Sequence, residues 1–217
     1  MPSLAVTMAN HRVQSTRVAP YRRSRSLAAA RLGAAEAGRW ALKAGAEMRK
    51  ILIVLVLFLT GCVGIPENVR PVDNFRLEKY LGKWYEIARL DHSFERDLNR
   101  VTADYSLRDD GGVRVLNRGY SEKEKTWKDA EGKAYFVERP DQGYLKVTFF
   151  GPFYGSYIVF ELDHENYQYS LVSGPNKTYL WILARAPQIR EDLRNVLIQK
   201  AATLGFDTSK LIFVEHE

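Results

Sequence analysis

Asp91-His92-Ser93 places an acid, an imidazole and a hydroxyl in a row. Those are the groups of a nucleophilic relay. Consecutive residues of an extended chain point apart, however, and such relays are assembled in space rather than by adjacency. His92 is therefore read as a loop residue. No nucleophile elbow or phosphate-binding glycine loop accompanies it. The four histidines, His11, His92, His164 and His216, are scattered with no pair at metal-ligand spacing. Cys62 is the single cysteine, which excludes an intrachain disulfide and any multi-cysteine zinc or iron–sulfur site. No catalytic residue, metal or cofactor is expected, and the chain reads as a non-enzyme. The reactive group left to explain is the Cys62 thiol.

Cys62 closes the strongest apolar run of the chain, Ile51–Leu59 (ILIVLVLFL). Nine residues fall short of the roughly 20 that a membrane-spanning helix needs. They suit the apolar core of an export signal, about 7–15 residues long. Met48-Arg49-Lys50 supplies a start-like methionine and a positive segment before it. Leu59-Thr60-Gly61-Cys62 resembles the lipobox of bacterial lipoproteins. That resemblance implies a diacylglyceryl group on the Cys62 sulfur, cleavage before it and acylation of the new amino end. Val63, where an Asp would retain the protein at the inner membrane, implies sorting to the outer membrane. The alternative is a buried apolar strand that ends in Gly-Cys.

The net charge of +6 lies at the head of the chain. Residues 1–47 hold eight basic groups and two acidic ones, so residues 48–217 are balanced. A nucleic-acid-binding body needs a basic face, and no nucleic-acid partner is expected. The expected organisation is an upstream, disordered extension over 1–47, a lipoprotein signal over 48–61, a tether over 62–73 and a folded body over 74–217. A long positive head belonging to the signal is the alternative for 1–47.

The body reads as short strands punctuated by turns. They are expected at Gly82–Leu90, Val101–Leu107, Val113–Tyr120, Trp127–Val137, Tyr144–Phe150, Ser156–Leu162, Tyr167–Val172 and Thr178–Arg185. A polar turn is expected inside the fourth, near Asp129–Gly132. Sequential hairpins of this kind suit an eight-stranded antiparallel up-and-down β-barrel. The period then changes. Ile189, Leu193, Val196, Leu197, Ala201 and Leu204 share one helix face, expected to start at Pro187, stop at Gly205 and pack on the barrel wall. A last strand-like run covers Leu211–Glu215. The fold class is all-β with a C-terminal α-helix.

Three segments carry a family resemblance. Gly82-Lys83-Trp84, inside Asn74–Arg89, resembles the Gly-x-Trp signature of the lipocalins, a calycin fold. Thr102-Ala103-Asp104-Tyr105 resembles their Thr-x-x-Tyr signature, and Arg185 after Tyr179–Ala184 resembles the third. With the lipobox, the chain resembles the bacterial outer-membrane lipoprotein subgroup over residues 70–217. The vertebrate disulfides have no counterpart. The family fold implies that Gly82, Trp84 and Arg185 are structural, with the Arg185 guanidinium stacked on Trp84 across a closed end.

With Trp84 inward, period two assigns the lumen: Glu86, Ala88, Ala103, Tyr105, Val113, Val115, Asn117, Ala134, Phe136, Leu145, Val147, Phe149, Tyr179, Trp181 and Leu183. This lining is apolar with two polar points, as in a pocket for an amphiphile. The strand Ser156–Leu162 is equally apolar on both faces and stays unassigned. The family resemblance implies a carrier that stores or transports a fatty acid or lysophospholipid, held on the outer membrane through lipidated Cys62. Homodimerisation stays open. An isomerase-like lipocalin enzyme and a purely structural envelope lipoprotein are the alternatives.

Overall fold

The computed structural model describes residues 63–216. Cys62, the expected signal and the basic head lie outside the described residues. The barrel strands are β1 (Gly82–Arg89), β2 (Leu98–Leu107), β3 (Val113–Ser121), β4 (Thr126–Phe136), β5 (Tyr144–Thr148), β6 (Gly155–Leu162), β7 (Tyr169–Ser173) and β8 (Leu180–Ala184). Each pairs antiparallel with the next, and β8 returns to β1. The result is the expected closed up-and-down barrel. A one-turn helix, α1 (Leu77–Tyr80), precedes β1, and α2 (Glu191–Thr203) follows β8.

Two apolar clusters occupy the two sides of the wall. Inside lie Trp84, Tyr105, Val113, Val115, Leu145 and Leu183 among others. Outside, Leu197 and Ala201 of α2 pack on Ile158, Phe160, Leu171, Leu180 and Ile182. Strands β6 to β8 are therefore apolar on both faces because both faces are covered. That explains the tie over Ser156–Leu162. Tyr157, Val159 and Leu162 face in, while Ile158 and Phe160 face the helix.

Several local expectations are corrected. Helix α2 begins at Glu191, not Pro187; the acids Glu191 and Asp192 fill its first turn, where the helix dipole favours negative charge. Val196 stands clear of the packed face and is exposed. The polar turn near Asp129–Gly132 is absent, and β4 runs straight through it. Its outward charges are paired with β3, Arg114 with Glu131 at 2.7 Å. Gly132 is needed because a Cβ there would come within 2.7 Å of the Thr148 carbonyl and strike the Phe149 ring. The stretch expected as a tether lies on the barrel: Val69 is buried, and the Val72 N–H donates to the Val159 carbonyl.

The C-terminal strand β9 (Ile212–Phe213) has a specific place. Strands β1 and β2 pair only from Gly82↔Tyr105 to Tyr85↔Thr102. Beyond that they part, and β9 fills the gap against Ala88 and Arg89. The Arg100 N–H then donates to the Glu215 carbonyl.

Candidate functional site

The lumen has two ends of different chemistry. At the closed end, Trp84 is fully buried and donates its indole N–H to the Tyr80 carbonyl at 2.8 Å. The Arg185 guanidinium lies 4.1 Å above the ring centroid, a cation–π contact. The same guanidinium donates to the carbonyls of Lys79, Leu81 and Lys83. Gly82 has φ of 87°, and a Cβ there would sit 3.6 Å from Arg185 Nη1; glycine supplies that left-handed turn at little steric cost. Three signature residues thus fasten α1 across the barrel floor.

Above the floor, three phenols form a chain. Tyr157 Oη lies 2.8 Å from both Tyr80 Oη and Tyr105 Oη, and Ser170 lies 3.2 Å from Tyr80. Burial pushes the Tyr80 phenol up to about 12, so the chain is neutral. The apolar wall beside it, Val113, Val115, Ala134, Leu145 and Val147, surrounds a void of about 10 Å³, room for roughly one water molecule.

Toward the mouth the lining becomes ionic. Arg89 is 2% exposed and Glu86 3%. Arg89 Nη1 donates to Glu86 Oε1 at 2.7 Å, and Nη2 donates to the carbonyls of Glu95 and Leu98. Glu95 descends from the β1–β2 loop, Leu90–Asp97, and accepts the Trp181 indole N–H at 3.1 Å. Burial raises both carboxyls, and the neighbouring Glu95 charge lifts Glu86 further, well above the ordinary carboxylate range. One buried guanidinium thus faces two buried carboxyls, so the cluster as a whole favours holding a proton.

His92 roofs this cluster. Its ring stacks on Phe94 at 4.2 Å and lies 4.9 Å from Trp181 and 5.8 Å from Tyr179. Burial first, then the Arg89 charge, push the imidazole down to about 4. It is neutral at pH 7, and its 3.4 Å approach to Glu95 is then no ion pair. Among the described residues, neither ring nitrogen has a hydrogen-bond partner, nor do Arg89 Nε and Asn117 Oδ1. Asp91 turns outward to Arg96 at 2.6 Å, and Ser93 is exposed, so the adjacent acid, imidazole and hydroxyl form no relay.

Of the residues expected in the lumen, Ala103, Tyr105, Val113, Val115, Ala134, Phe136, Leu145, Val147, Phe149, Trp181 and Leu183 join the inner cluster. Glu86 and Asn117 share its face, and Tyr179 stacks at the mouth. Ala88 does not join them; it packs in the outer cluster. Between Glu86 and Ala88 strand β1 bulges against β8, so Glu86 faces Leu183 while Ala88 faces Ile182. A bulge inverts the alternation beyond it, and Arg89 takes the inward place. The sequence offered one signal, a lone cation in the run Ile87–Leu90. Glu95 was also missed as a lining residue; Tyr157 belongs to the strand left unassigned, and His92, read as a loop residue at the barrel mouth, stands there.

Residues 75–216 match the lipocalin-like domain family. The chain is 58% identical over 171 residues to the outer membrane lipoprotein Blc of Vibrio cholerae, covering 78% of this chain and all of that one. It is 53% identical over 151 residues to the outer membrane lipoprotein Blc of Escherichia coli K12, covering 70% and 85%. In fold it resembles insecticyanin of the tobacco hornworm Manduca sexta, with a TM-score of 0.56 at 24% identity, over 71% of this chain and 87% of that one. The chain belongs to the lipocalin family, in its subgroup of bacterial outer-membrane lipoproteins.

Proposed function

We propose that this protein holds one amphiphilic lipid, a fatty acid or lysophospholipid, in its lumen, and is anchored to the outer membrane through acylated Cys62. The reading is carried by one observation: an apolar wall from Val113 to Val147 ends, at the mouth, in a buried guanidinium with an unused donor. An acyl chain suits the wall, and a carboxylate or phosphate suits Arg89 Nε. Burying a long chain yields on the order of 10 kcal/mol at ~0.8 kcal/mol per CH₂. The costs of association leave about micromolar affinity. The void in the described state is too small for that chain. Binding therefore requires the Leu90–Asp97 loop to lift and lumen side chains to swing.

The same small void favours a second reading, a filled barrel with a structural envelope role. Native mass spectrometry of the full chain with lysophospholipid separates the two. A one-to-one adduct, weakened at least ~tenfold when Ala134→Trp fills the lumen, supports the carrier. Absence of any lipid adduct leaves the structural role.

A further inference from the structure

Five aromatic or apolar groups bear on how the barrel meets a membrane. The loops β1–β2, β3–β4, β5–β6 and β7–β8 all emerge at the mouth, because the barrel is up-and-down. Two of them carry bare phenylalanines: Phe94 is 58% exposed, Phe150 83% and Phe153 66%. The closed end carries only Leu107 as a comparably exposed apolar side chain among the described residues. Three exposed phenylalanines at one rim are costly in water and mark an interaction face.

The chain's own path identifies what covers them. The Gly64 N–H donates to Ser156 Oγ at 2.9 Å, and Ser156 Oγ donates back to the Gly64 carbonyl at 2.7 Å. Ser156 stands at the mouth end of β6. From Gly64 the chain runs down the outer wall to α1 at the floor. Gly64, held at that rim, follows Cys62 by two residues in the sequence. Ile65, beside this exit, is also exposed. The described chain therefore begins at the mouth rim and not at the floor.

We propose that the mouth is a bilayer-docking face, with Phe94, Phe150 and Phe153 seated at the headgroup–acyl boundary and the lumen opening directly onto the membrane. At the β3–β4 turn Lys125 is paired internally with Glu122 at 3.0 Å, so the exposed phenylalanines rather than that pair carry the docking. Groups seated this way lie ~5–10 Å into the interface. Lipid then passes between bilayer and lumen without crossing water. The proposal rests on the reading that Cys62 carries the anchor.

The test reconstitutes the full-length, processed protein in phosphatidylethanolamine–phosphatidylglycerol vesicles with brominated acyl chains. Tryptophan is placed at the mouth by Phe150→Trp or, separately, Phe153→Trp, and at the floor by Leu107→Trp, each measured as emission added over the parent. The mouth tryptophans are expected to be quenched at least ~twofold, from insertion at interfacial depth, and the floor tryptophan to be unaffected. Equal quenching at both ends, or quenching at Leu107→Trp alone, overturns the proposal. So does an unquenched mouth with concentration-dependent dimers, which would assign the phenylalanines to a second copy. Mass spectrometry of the amino end reports the underlying reading separately: an unacylated Cys62 removes the anchor, whereas an acylated one with an unquenched mouth removes only the docking.

Discussion

The two ends of the barrel each hold an arginine, and they treat it in opposite ways. At the floor, Arg185 stacks on Trp84 and donates to four carbonyls, those of Lys79, Leu81, Lys83 and Tyr167. At the mouth, Arg89 is more deeply buried, has an unused Nε, and sits beside two buried carboxyls and an imidazole with both nitrogens idle. A satisfied network rigidifies, whereas a partly satisfied one stays costly until something else completes it. The floor is scaffold. The mouth is built from groups that a ligand headgroup can still satisfy, under a loop that holds them by few bonds.

The largest expected effect breaks the floor. Trp84→Ala removes a fully buried ring from under Arg185 and should cost about 3–5 kcal/mol, read as a sharp fall in the urea midpoint. Trp181→Ala, at the mouth, should cost less stability, about 1–2 kcal/mol, because its ring lies at the rim under a loop. It should weaken lipid binding more, since Glu95 loses its indole donor. Equal stability losses with unchanged affinity would erase the difference between the ends.

A smaller effect sharpens it through pH. His92 titrates near 4 when folded and from its ordinary 6.5 when unfolded. Between those values the unfolded chain binds a proton that the folded chain refuses. The neutral imidazole's contribution is therefore complete above about pH 6.5 and is lost as pH falls toward 4, by up to about 3 kcal/mol. Glu86 and Glu95, raised by burial, act in the opposite sense as acid is added. His92→Phe keeps their slope and deletes the imidazole's. Wild type should lose stability relative to that variant from pH 6.5 to 4; parallel curves in urea melts would contradict a buried neutral His92.

Much of the fold was legible because its signals are local. The shift from period two to 3.6 marks α2, and Trp84 with Arg185 marks the floor. The mouth was less legible. Whether Arg89 or Ala88 faces inward depends on a single extra residue between β1 and β8, which alternation within β1 cannot register. The face of β6 was hidden because α2 makes its outer side as apolar as its inner one. Glu95 and His92 reach the lumen only through the fold of a loop, which carries no period. Their signal lies in chemistry, not spacing: buried acids, an arginine and a histidine within one short stretch.

Hydrogen exchange of the full-length protein with and without lysophospholipid tests the contrast most directly. Amides of Leu90–Leu98 and of 174–181 should exchange fast without lipid and slow at least ~tenfold with it, because opening there needs only local free energy. Amides of 80–84 and of Arg185 should be protected in both states and unchanged. Slowing confined to the floor, or no slowing at the mouth under saturating lipid, would contradict a rigid floor and a mouth that takes the ligand.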